Sequence, residues 1–294
     1  MTLGVLGAKL GIGFMRVLSH VPLPLIRGFG AVMGVLLHTI ARPRRHVVDV
    51  NLRLCFPDWT AQQRRRVARE TFVHVAQAWL DRSWLWHAPL AVVEARLKLR
   101  GALQELEGET PTIVFAPHFC GLDAGGTALS IGVPRPWTSI FTPQRNPLIN
   151  DWLEVGRTRF HREVRVFDRT SGVKPIVSGL RSGGLLYLLP DMNFGPQESI
   201  FVPFYGVQAA TVPSLSRFAR LGRAKIVPVL SRLTKTGYDI EVLPSWQNFP
   251  TDDVEADTAL MNKRLEGYID TMPSQYYWVH RRFKTRPGAA PPVY

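Results

Sequence analysis

The sequence predicts an α/β fold: a single domain with a mostly central β-sheet flanked by helices, preceded by an N-terminal membrane-associated helical segment. Three observations carry this prediction. From residue 97 onward, short β-rich runs alternate with helix-length amphipathic stretches, the pattern of a sheet covered on both faces. The 294 residues are 46% hydrophobic, with 15 Phe and 8 Trp, enough to bury a large core without disulfides or a structural metal. No low-complexity linker and no internal repeat divides the chain, so residues 46–294 read as one domain and residues 1–45 as its attachment.

The attachment comes first in the chain. "GFGAVMGVLLHTIA" (28–41) is free of charge for 14 residues, short of the roughly 20 that cross a bilayer. Extending it backward through "VLSHVPLPLI" meets Arg27 and two prolines. The apolar run comes late for a cleaved signal peptide, and no small-residue cleavage site precedes "RPRR". The segment is expected to lie in the membrane interface or to span once with "RPRR" on the cytoplasmic side. The competing reading is a glycine-rich core helix packed on the domain.

Residues 58–86 predict a helix capped by Asp58 or Thr60, with Val67, Phe72, Val75, Trp79 and Leu80 as its apolar stripe and Arg64, Arg65 and Arg66 as a solvated face. The strands follow as "TIVFAP", "PWTSIFTP", "VRVFD", "GGLLYLLP" and "AKIVPVLSRL", with helices expected at 146–160, 172–182, 213–222 and 254–270. In such folds the site lies at strand ends and the loops that follow. His118 and Asp191 both occupy that place, each directly after a strand-like run and a proline.

His118 and Asp123 form a His-X4-Asp pattern in "APHFCGLD". A neutral imidazole is a competent general base near neutral pH, and a carboxylate on its far nitrogen fixes the tautomer and stabilises the imidazolium. His118 precedes the helix and Asp123 lies about one turn inside it, an arrangement expected to bring the two together. No third His, Cys or clustered acid accompanies them, so no metal site is expected. Cys120 is either a nucleophile beside its base or a small packing residue, and no other sign of a covalent mechanism favours the first. The two cysteines, Cys55 and Cys120, form no ligand or CxxC pattern, consistent with a reducing compartment.

The net charge of +13 calls for an anionic partner. No acidic residue occurs before Asp49, whereas Lys9, Arg16, Arg27, Arg42, Arg44 and Arg45 punctuate the apolar N-terminus, a membrane-facing signature. A nucleic-acid-binding protein would show a basic stripe interleaved with stacking aromatics or a recognition motif, and neither is present, so no nucleic acid is expected.

Taken together, the apolar N-terminus, "NLRLCFPDWT" (51–60), "APHFCGLD", "RTRF" (157–160), "LPDMNFGPQESIFVPFYG" (189–206) and "QYYWVHRRFKTRP" (275–287) resemble the late acyltransferases of lipid A biosynthesis. These are the lauroyl and myristoyl transferases within the wider lysophospholipid acyltransferase group. The resemblance spans nearly the whole chain. The His-to-acid pattern occurs in many glycerolipid acyltransferases and speaks for the chemistry alone, while the last two blocks point to the lipid A branch. Many relatives carry Asn-Trp-Glu where this chain has "GLD", a departure that bears on pocket shape and acyl-chain choice.

The resemblance implies transfer of an acyl group from acyl carrier protein to a hydroxyl on a 3-hydroxyacyl chain of a lipid A precursor. His118 would deprotonate the hydroxyl, Asp123 would orient His118, and attack on the thioester would be direct, with no cofactor, metal or acyl-enzyme. Backbone N–H groups after His118, or Arg157 or Arg159, would hold the oxyanion; these arginines and nearby Arg145 also suit the precursor's phosphates. Asp191 would orient an arginine or cap a turn. The implied partners are acyl carrier protein, the lipid A precursor and anionic membrane lipids, at the bacterial inner membrane with the active domain facing the cytoplasm. A lysophospholipid or another glycolipid is the alternative acceptor, and a catalytically inactive membrane scaffold the alternative of a different class.

Overall fold

The computed structural model describes residues 3–160, 163–168, 171–288 and 290–294. Five helices come first: α1 (Leu3–Leu18), α2 (Leu23–Ile40), α3 (Arg42–Cys55), α4 (Ala61–His87) and α5 (Leu90–Arg96). The sheet region then runs β1 (Leu97–Gly101), β2 (Thr112–Phe115), α6 (Leu122–Gly132), β3 (Trp137–Phe141), α7 (Pro147–Thr158), β4 (Val164–Asp168), α8 (Lys174–Arg181) and β5 (Leu185–Leu188). It ends with β6 (Ile200–Phe204), β7 (Val207–Thr211), α9 (Ser214–Gly222), β8 (Lys225–Thr234), β9 (Gly237–Val242) and α10 (Val254–Asp270).

Seven strands form one sheet in the order β1-β9-β8-β2-β5-β3-β4. Every neighbouring pair is parallel except β8 with β9. β2 and β5 are buried at every position, as central parallel strands covered on both faces must be. Successive side chains point to opposite faces. Ile113, Phe115, Leu186 and Leu188 therefore join the core shared with α8, α9 and α10. Val114, Leu185 and Tyr187 join the core shared with α4, α6 and α7.

α4 forms the wall next to the site. Its Thr60 cap and Gln63 complete a reciprocal capping box. At 100° per residue, Val73 and Gln77 point to one side, against α2, while Val75, Ala78, Trp79 and Arg82 point to the other, into a cavity. The segment read as 1–45 is more than one helix: α1 and α2 both pack along α4, and residue 45 lies within α3, whose Val47, Val48, Val50 and Leu52 are buried. The residues after Asp191 contain the antiparallel hairpin β6–β7, which packs on α10.

Candidate active site

The register of the central strands builds the site. Phe115 of β2 pairs with Leu188 of β5, so His118 and Asp191, each three residues beyond that pair, leave the sheet side by side. Asp191 Oδ1 lies 2.7 Å from His118 Nδ1. Oδ2 accepts the His118 backbone N–H at 3.1 Å and the Tyr276 hydroxyl at 3.0 Å. The Asp191 side chain is fully buried, while that of His118 is 20% exposed. Burial alone would raise the Asp191 pKa; the neighbouring His118 and the hydrogen bonds from its ring, its backbone and Tyr276 outweigh burial and hold the carboxyl below the ordinary aspartate range. Asp191 is therefore the carboxylate on the imidazole, and its hydrogen-bond partners are His118 and Tyr276 rather than an arginine.

Asp123, expected against His118, is engaged elsewhere. Its Oδ2 accepts Arg82 Nε at 2.7 Å and its Oδ1 accepts Arg157 Nε at 3.0 Å. The physical reason is local: α6 begins at Leu122, so Asp123 is carried in its first turn toward α4 and α7 rather than back toward the strand end. Burial opposes ionisation of Asp123, but the two guanidinium groups prevail and bring its pKa down to about 2. The cluster of two cations and one anion keeps a net positive charge. Arg82 also stacks over Trp79, 4.2 Å from the ring centre, and its Nη1 is buried without a partner.

The other arginines separate. Arg157 lines the cavity. Arg159 does not: it donates to the carbonyls of Leu85 and Ala88 at the end of α4, at 3.3 and 2.6 Å, and covers Phe160, so it caps a helix. Arg145 is exposed in the loop before α7 and outside the cavity lining. Cys120 faces the cavity, but burial pushes its thiol up to about 12, which leaves it protonated and a poor nucleophile near neutral pH. Among the described residues, no three His, Cys, Asp or Glu side chains converge as a metal site would require.

His118, Asp123, Arg82 and Arg157 share one cavity of about 740 Å³. Its inner wall is apolar, with Trp137, Ile140, Ile176 and Leu188, and its rim carries the exposed side chains of Trp79, Val173, Phe194, Leu221 and Tyr277. The cavity thus has apolar side chains along its inner wall and His118 among its polar lining residues.

The late sequence blocks hold the site in place. Tyr277 N donates to His118 O at 2.9 Å and Cys120 N to Gln275 O at 2.8 Å. Asn193 of the loop after Asp191 donates its backbone N–H to His280 Nε2 at 3.1 Å and its side-chain amide to Arg282 O. Asn51 in turn binds the carbonyls of Trp278 and His280 at 2.7 and 2.8 Å. Arg282, one of the terminal basic residues, is buried and holds Ala210 O and Thr211 Oγ1 at 2.8 and 2.7 Å. Sequence reasoning missed Arg82 and Tyr276. The signal for Arg82 was a charged pair, Asp81-Arg82, within the apolar "AWLDRSWLW".

The sequence profile of the family described as bacterial lipid A biosynthesis acyltransferase matches residues 2–285. A lipid A biosynthesis acyltransferase of Haemophilus influenzae is 33% identical, over 95% of this chain and 88% of its own length. The lipid A biosynthesis lauroyltransferase of Escherichia coli is also 33% identical, over 97% and 94% respectively. The Escherichia coli lipid A biosynthesis myristoyltransferase is 27% identical, over 97% and 90%.

Proposed function

The chain belongs to the bacterial lipid A biosynthesis acyltransferase family, and we propose that it moves a fatty acyl chain from acyl carrier protein to the hydroxyl of a 3-hydroxyacyl chain on a lipid A precursor. The observation that carries the mechanism is His118 held through Nδ1 by a buried carboxylate at an apolar cavity. Asp191 keeps the ring proton on Nδ1, leaving the Nε2 lone pair for substrate. His118 takes the acceptor's hydroxyl proton as the oxygen attacks the thioester carbonyl. The C–O bond forms and the C–S bond breaks, and the proton passes from His118 to the departing thiolate.

Arg157, with Arg82 beside it, stabilises the oxyanion. Asp123 fixes both arginines while leaving the cluster a net positive charge. The protonated Cys120 takes no part, so transfer is direct. The acidic carrier and the precursor's phosphates suit the chain's +13 charge. An acceptor in a membrane and a carrier in the cytoplasm place the protein at the cytoplasmic face of the inner membrane, held by its apolar N-terminal helices.

The test is to incubate detergent-solubilised protein with acyl carrier protein bearing chains of graded length and the tetra-acylated precursor with its inner sugar acids, following product mass. An added acyl mass that vanishes in His118→Ala supports the reading. No product from any donor, or full activity in His118→Ala, refutes it. Product only on a lysophospholipid would reassign the acceptor.

A further inference from the structure

Membrane association as proposed above leaves open whether the N-terminal helices cross the bilayer or lie on it, and the packing of α2 bears on this directly. By length alone α2 would reach nearly across: its 18 residues at 1.5 Å each extend about 27 Å against a hydrocarbon core of about 30 Å. It is nevertheless docked on the catalytic domain from end to end. Near its start, Arg27 Nη2 lies 3.0 Å from the buried Asp81 carboxylate of α4 and donates to Gly237 O, at the first residue of β9, at 3.2 Å. In its middle, Gly30 and Gly34 press on α4; a Cβ at Gly34 would sit 2.5 Å from Val73 Cα, and one at Gly30 3.0 Å from Gln77 Cα. At its end the chain passes through Ala41 into α3, where Arg44 Nη1 donates to Val279 O at 3.3 Å.

A spanning α2 would therefore draw the charged α4 and the start of β9 into hydrocarbon, where unpaired backbone groups and charges are costly. The outward face of α2 is built for lipid on one side only. Leu25, Phe29, Val32, Leu36 and Ile40 are exposed along its length, at the spacing of a single helical face. Leu6, Leu10, Phe14 and Val17 form a matching exposed stripe on α1, and the Phe14 and Phe29 rings, 6.4 Å apart, join the two. Lys9, Arg16, Arg42 and Arg44 are exposed beside these stripes, and no acidic residue precedes Asp49. An apolar face edged by cations is complementary to one leaflet of anionic phospholipid.

We propose that α1 and α2 form an in-plane anchor that beds one face in a single leaflet of an anionic bilayer and does not cross it. Two exposed positions report the topology: His20, in the turn between the helices, and Thr39, at the end of α2. His20→Cys and Thr39→Cys are made separately in the full chain, with the unsubstituted chain as control, and treated with a membrane-impermeant maleimide in inverted inner-membrane vesicles and in spheroplasts. Both are expected to react in the inverted vesicles and neither in spheroplasts. Reaction of His20→Cys only in spheroplasts would overturn the proposal while leaving membrane association intact. Purified Val32→Glu/Leu36→Glu is expected to float about tenfold less with phosphatidylcholine–phosphatidylglycerol vesicles, with its melting temperature unchanged because both side chains are exposed. Undiminished flotation would overturn the proposed lipid face, as would equal flotation of the wild type on phosphatidylcholine alone. A wild-type chain that does not float at all would remove membrane association itself. Glutamate substitutions that leave flotation intact but abolish a dimer would assign the stripes to a second copy of the chain.

Discussion

Replacing Asp191 with asparagine tests the assignment of the histidine's partner. Three donors converge on this carboxylate: the His118 ring at 2.7 Å, the His118 backbone N–H at 3.1 Å and the Tyr276 hydroxyl at 3.0 Å. An asparagine of the same shape offers one acceptor oxygen. If that oxygen serves the backbone N–H and Tyr276, the amide NH2 faces Nδ1, which must then accept a hydrogen bond. The ring proton moves to Nε2, and the nitrogen left for substrate loses its lone pair. In an unrelated serine protease the equivalent exchange traps the wrong tautomer and costs about 10⁴ in kcat. The same geometry here sets an expected loss of about 10³–10⁴, or about 4–5.5 kcal/mol of transition-state stabilisation at 1.36 kcal/mol per tenfold.

The assay is the initial rate of product formation by mass, with Asp123→Asn measured alongside and a thermal melt to establish folding. Asp123→Asn removes the anion between Arg82 and Arg157 without touching the imidazole tautomer. Its loss is expected to be smaller. A folded Asp191→Asn within about tenfold of wild type, or a greater loss in Asp123→Asn, would refute the reasoning and return His118 to Asp123.

Three further outcomes are expected. Gly34→Val places a side chain against the α4 backbone, 2.5 Å from Val73 Cα, and overpacking of this kind costs about 1–3 kcal/mol; a melting temperature equal to wild type would show that the α2–α4 contact is not as close as described. Gly126 lines the cavity on α6 one turn beyond Asp123, and a Cβ there meets nothing within 4 Å, so Gly126→Leu is expected to shift the product spectrum toward shorter acyl chains, and an unshifted spectrum at lower rate counts against an acyl chain passing there. Burial, with help from Arg282 and His118, lowers the His280 pKa to about 4. The unfolded chain takes up this proton below about pH 6.5 while the folded chain refuses it. Stability is therefore full above about 6.5 and falls as pH drops toward 4, by about 3 kcal/mol at 1.36 kcal/mol per unit. Denaturant melts at about pH 7 and about pH 4.5 are expected to differ less in His280→Gln, and an equal gap would remove His280 as the cause.

The strands legible in the sequence are those whose burial leaves an unbroken apolar run, such as "TIVF" and "LLYL". β1, "LKLRG", and β9, "GYDIEV", escaped because they mix charge with apolar residues; what makes them strands is their parallel pairing with each other, some 140 residues apart in the chain. The site was half legible for the same reason. Spacing of five within one segment suggested His118 with Asp123, yet local spacing decides a contact only when both residues belong to one regular element, and here a turn intervenes. The informative pattern was long-range: "FAPH" and "LLPD" each end a buried strand with a proline and then a functional group. Two parallel strands paired in register deliver whatever follows them at equal distance to the same point. A base and an acid at matching offsets from two central strands are therefore a stronger signal of contact than a base and an acid close in sequence. The acid nearest in sequence was free to hold the two arginines instead.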